Sequence, residues 1–208
     1  MIKELFKKFT DIVYLNILWL LASFLGLLVT FGASTTAMFR VAFQILKSKE
    51  PTSVFPLFFQ SFKENVKEST LVWIILVVLG VPIYMMYHYA INTDSAMLAV
   101  FAVVSFYEWM MITIYIFPVM ATFQTKHLGQ LFKNVLLMAN MNMWTNIKLL
   151  GSFAFVLLLM FIHSSLFIIA VGLYGVLVSY HLQKVFHPYK LALGVDEEGN
   201  EDDEILKL

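Results

Sequence analysis

Residues 96–123 read AMLAVFAVVSFYEWMMITIYIFPVMATF, an apolar run interrupted by one charge, Glu108. A helix rises about 1.5 Å per residue and must cross about 30 Å of hydrocarbon, so about 20 apolar residues make one crossing. This run is long enough. Working outward, similar runs occupy 12–31, 33–46, 69–90, 148–163 and 165–186. Segments 33–46 and 148–163 are short, so five to six membrane segments are expected. The fold class that follows is all-α, a polytopic transmembrane helical bundle.

Composition agrees. Of 208 residues, 60% are hydrophobic and only 13% charged, too little charge to solvate the surface of a soluble domain. The formal net charge of zero hides an asymmetry, because seven of the 14 acids fall between Asp196 and Glu204. The body is therefore basic and the end acidic. Domain organisation is read as one integral membrane domain, 1–193, followed by an acidic disordered cytoplasmic tail, 194–208. Nucleic acid is not an expected partner, since no extended basic patch appears. There is no cysteine, which excludes disulfides, thiol catalysis and cysteine-based metal sites.

Lys and Arg near span ends favour the cytoplasm. With the N-terminus inside and six crossings, every Lys lies inside and only Arg40 lies within a span. The three external connections, near Thr30–Ser34, Asn92–Ser95 and His163–Ser165, contain neither Lys nor Arg. Both termini are then cytoplasmic. The short 33–46 segment returns the chain to the inside, and a buried, tilted or re-entrant helix suits its length. Gly32, Ser34, Thr35 and Thr36 supply a turn and hydroxyls for broken backbone there. Segments 53–68 and 127–146 read as two amphipathic helices on the cytoplasmic face. Gln60–Val66 and Gln130–Val135 are weakly similar, so a span–surface helix–span repeat and chance similarity both stay open.

From Asn16 to Phe62 the order of residues becomes distinctive. Asn16-Ile17-Leu18-Trp19, Thr30-Phe31-Gly32-Ala33-Ser34-Thr35-Thr36-Ala37-Met38 and Phe58-Phe59-Gln60-Ser61-Phe62-Lys63-Glu64-Asn65 lead to Trp73. Phe117-Pro118-Val119-Met120-Ala121, Leu131-Phe132-Lys133-Asn134 and Ser179-Tyr180 follow. In these motifs the chain resembles the YesL family of bacterial multi-pass membrane proteins, a domain of unknown function. The resemblance implies a bacterial plasma-membrane protein. It also implies an accessory role in carbohydrate uptake, because such proteins are often encoded beside uptake and polysaccharide-degradation systems. It carries over no catalytic residue.

Candidate chemistry is sparse. An acid in mid-span is costly and should face the bundle interior, and Arg40 near the middle of 33–46 suggests a partner for Glu108. A structural ion pair is favoured over a substrate or proton site. Asn16 is read as an interhelical hydrogen bonder before a ligand contact. The run 32–37 could present amides to an anion, while small residues for close helix contact explain it equally. The histidines lack metal-site spacing, and no Walker loop, nucleophile elbow or dinucleotide turn is present. No catalytic, metal or cofactor site is therefore assigned, and no enzyme is expected. The expected function is a non-catalytic accessory, assembly or regulatory component of an uptake system, in contact with a permease subunit and the lipid bilayer. The alternative is a small transporter or channel around Arg40 and Glu108, with Asn16, Ser34, Thr35 and Thr36 nearby. A chain this small would need a homodimer for that task.

Overall fold

The computed structural model describes residues 2–26, 29–47, 53–123 and 127–192. Within them the chain forms α1 (Ile2–Leu25), α2 (Phe31–Lys47), α3 (Val54–Asn92), α4 (Ala96–Thr122), α5 (Leu128–Met141), α6 (Met143–Ile162) and α7 (Phe167–Ala192). A short 3-10 turn, Ser164–Leu166, joins the last two. No strand occurs among the described residues. Five segments are long and apolar enough to cross a membrane: Phe6–Leu25, Val54–Asn92, Ala96–Thr122, Met143–Ile162 and Ser164–Ala192. The chain is an all-α polytopic bundle, as its hydropathy requires. The acidic tail, 194–208, lies outside the described residues.

The short helix α2 is the middle of the bundle. Eleven of its 17 residues are buried, and it packs against α1, α3, α4 and α7. At about 25 Å it is shorter than the hydrocarbon layer, and its surroundings are protein. Small residues at 32–37 let the neighbouring backbones approach. The expectation of a buried helix is met, but that of broken backbone at 32–37 is not. The helix begins at Phe31, and the turn precedes it.

Two further expectations need correction. Segment 53–68 is not a separate surface helix. It runs without interruption into the next span, so α3 has 39 residues and measures about 58 Å. Between Pro56 and Gly80 nothing breaks the helix, and the polar stretch is rich in good helix formers. Within it, Gln60 Nε2 donates to Glu64 Oε1 at 2.9 Å across one turn. Second, segment 127–146 divides at Asn142, so α5 is shorter than expected. It starts just past the end of α4, and Asn140 near its other end bonds Glu108, so it runs back along the second half of α4. The two weakly similar segments thus occupy unlike places, one inside the long α3 and one in the short α5.

The three connections free of Lys and Arg fall close to their expected positions. At the α3–α4 turn, Asp94 adopts a left-handed backbone, φ 50°, which Asp tolerates better than most residues. Beyond this, α3 and α4 extend past the packed part of the bundle. Across residues 77–110 only Ala90 and Ala102 are buried. The outer halves of α3 and α4 therefore leave the bundle as a two-helix arm, apolar on nearly every side.

Candidate functional site

In α2 each hydroxyl of the small-residue run closes onto the preceding turn. Ser34 Oγ donates to Thr30 O at 3.0 Å, Thr35 Oγ1 to Phe31 O at 2.7 Å and Thr36 Oγ1 to Gly32 O at 3.1 Å. The Ser34 amide donates to Thr30 O at 2.9 Å, and Gly32 and Ala33 in the first turn are buried, so the run serves as a packing contact. The same hydroxyls also reach sideways. Trp19 Nε1 of α1 donates to Thr35 Oγ1 at 3.1 Å, and Thr36 Oγ1 lies 2.9 Å from Ser69 Oγ of α3. Gly32 sits against the Ser69 carbonyl so closely that any Cβ would collide with it. Close approach, then hydrogen bonding across the contact, is how small residues hold membrane helices together.

Asn16 is fully buried and clamps α1 to the start of α7. Its Nδ2 donates to Phe167 O at 3.2 Å, and the Gly172 amide donates to its Oδ1 at 2.9 Å. A Cβ on Gly172 would stand 2.6 Å from Ile12 O, so glycine there is required for the approach. Asn16 thus serves two backbone groups of one helix and makes the interhelical bond its position suggested.

Arg40 and Glu108 do not meet. Arg40 is exposed and its Nη1 donates to Ala121 O at 3.1 Å. Ala121 belongs to the last turn of α4, where carbonyls lack helical partners and the helix dipole attracts a cation. Glu108 lies 13 residues earlier on the same helix, about 20 Å along its axis. Its Oε2 accepts a hydrogen bond from Asn140 Nδ2 at 3.2 Å, and Asn140 also donates to Leu136 O at 3.0 Å. Among the described residues Glu108 makes no ion pair. The six candidate residues therefore occupy separate contacts: Asn16 between α1 and α7, Ser34, Thr35 and Thr36 in α2, Arg40 at the foot of α4 and Glu108 halfway up it.

The densest polar cluster was not anticipated. Asn146, at 2% exposure, accepts from Tyr115 Oη at 2.8 Å through Oδ1. Its Nδ2 donates to Ala139 O at 2.9 Å and to Tyr107 Oη at 3.1 Å. One side chain thus ties α4, α5 and α6. The available signal was modest: Tyr107 and Tyr115 stand eight residues apart, close to one face of α4, and Asn146 opens an apolar run. Among the described residues no three His, Cys, Asp or Glu gather as a metal site. What these contacts do chemically is bind helix to helix.

Residues 12–87 match the model of a protein family of unknown function, DUF624. Over 116 residues the chain is 34% identical to the "Uncharacterized protein YesL" of Bacillus subtilis strain 168, a match covering 54% of each chain. The resemblance to the YesL family holds. The chain spans about half the length of this curated relative, and no solved structure matches it. The family-like segment comprises most of α1, all of α2 and α3 as far as Tyr87. It contains Asn16, Trp19, Thr35, Thr36 and Ser69, the residues that build the α1–α2–α3 contact. Glu108 and the Asn146 cluster lie outside it.

Proposed function

We propose that the chain is a non-catalytic component of the bacterial plasma membrane that works by associating with another integral membrane protein, a permease for carbohydrate uptake, with both chain termini in the cytoplasm. The observation that carries this reading is the two-helix arm. Residues 77–110 expose apolar side chains around both helices, a form suited to contact within the bilayer rather than to enclosing a solute. The polar side chains Asn16, Thr35, Thr36 and Asn146 point the same way, since each joins one helix to another. The carbohydrate assignment rests on the YesL resemblance alone. A homo-oligomeric carrier or channel has less support, because its two proposed charged residues stand about 20 Å apart along α4.

Affinity purification of the tagged chain from its host in mild detergent, followed by mass spectrometry, tests the proposal. A permease subunit should co-purify in near-stoichiometric amount. Recovery of the chain as a lone dimer that binds a sugar would overturn it.

A further inference from the structure

Glu108 is the thirteenth of the 27 residues of α4, so it stands at the middle of a helix long and apolar enough to cross a membrane. It is only partly buried. One carboxylate oxygen accepts from Asn140; among the described residues the other accepts nothing and the carboxylate forms no ion pair. A carboxylate in hydrocarbon is costly unless a proton or a positive charge compensates it.

Its surroundings narrow the choice. One and two turns before Glu108 on the same face come Val104, 54% exposed, and Phe101, 55% exposed, then Met97, 72% exposed. Spacings of four, three and four residues align them in one strip about 16 Å long. Packing of α3 through Ala90 and Gly80 occupies another side of α4, where the Trp109 ring lies beside Gly80. The strip itself is uncovered. It ends below on Asn140. An apolar ridge that terminates in one uncompensated acid is complementary to an apolar helix bearing one base.

We infer that the strip Met97–Phe101–Val104–Glu108 seats a transmembrane helix of a partner protein, which places a Lys or Arg side chain against the Glu108 carboxylate. This rests on the partner-association reading above and specifies the partner's chemistry. Asn140 holds the carboxylate by one oxygen and leaves the second for the incoming base. The apolar ridge provides van der Waals packing, which drives helix association in lipid, and the ion pair sets depth and rotation.

The test uses the full chain, donor-labelled, in phosphatidylcholine vesicles. The probe is an acceptor-labelled Leu-rich helical peptide of about 20 residues with a single mid-span Lys. The same peptide with Leu or Glu at that position serves for comparison. Energy transfer should require roughly tenfold less Lys peptide than Leu peptide. Glu108→Gln should abolish that preference and Glu108→Asp keep part of it. Val104→Trp, which alters the ridge and not the acid, should weaken all binding. Equal binding of Lys and Leu peptides to the wild-type chain overturns the inference even if Glu108→Gln fails to fold. A preference that survives Glu108→Gln in a folded variant also overturns it. Loss of the preference when phosphatidylethanolamine is added would assign the acid to a headgroup amine, and Glu108-dependent chain–chain transfer would assign the strip to a second copy. Either result replaces the partner helix. Failure of a permease to co-purify while the Lys preference persists sinks only the permease reading.

Discussion

At the scale of single residues, the polar groups of this membrane protein act mainly as joints. Replacing Asn146 with Leu leaves the Tyr115 hydroxyl without its partner. An unsatisfied buried group costs about 1–3 kcal/mol, so thermal unfolding in detergent should show a clear loss of stability for Asn146→Leu. Glycines give a contrast of sign. Gly172→Ala must push Ile12 of α1 away from α7, and overpacking of this kind costs about 1–3 kcal/mol. Gly151, in the interior of α6, has nothing within 4 Å of a Cβ position. Gly151→Ala should therefore stabilise by up to about 1 kcal/mol through helix propensity. Equal effects of the two substitutions in the same melting assay would contradict the close α1–α7 packing. Asn16 was legible as a joint because an amide inside an apolar span needs a partner. That the partner would be the first turn of α7, more than 150 residues away, follows only from packing.

At the scale of elements, the sequence located most helices and misplaced two joins. Polar residues at 60–68 suggest a change of environment, and a change of environment resembles a change of element. Backbone propensity decides otherwise, because Lys, Glu and Gln continue a helix as well as Leu does. Spin labels at Gln60 and Leu79 should report a backbone separation of about 28 Å if α3 is continuous. A right-angled bend near Glu68 would shorten it to about 20 Å by the same rise per residue, a difference that pulsed electron resonance resolves. In α5 the apolar spacing correctly identified an amphipathic helix. Periodicity says which face is apolar and nothing of what covers it. Here the second half of α4 covers it, with Leu131, Val135, Met138 and Ala139 buried.

At the scale of the whole molecule, the distribution of Lys supports a cytoplasmic placement of both ends. The absence of native cysteine makes the test clean. Single cysteines at Lys8, Lys63 and Lys190 should resist a membrane-impermeant thiol reagent in intact cells, and one at Thr93 in the α3–α4 turn should react. Labelling of Lys63 from outside would reverse the path of α2 and α3. The two-helix arm defines the other whole-molecule property. Its uncovered strip on α4 is the surface that the proposed association within the bilayer would use.

Hydropathy and residue order determined by themselves that the chain is a helical membrane protein similar to YesL. Each is a property of local composition, and the bilayer selects on composition directly, since a backbone in lipid must satisfy its own hydrogen bonds as helix. Tertiary structure alone decided which polar groups meet. Arg40 and Glu108 look matched in sequence because both interrupt apolar runs, yet α2 runs past the foot of α4 and brings Arg40 to Ala121 instead. Asn146, Tyr107 and Tyr115 join because α5 folds back along α4. Side-chain pairing depends on how helices are set against one another, and the periodicity of a single helix does not contain that information.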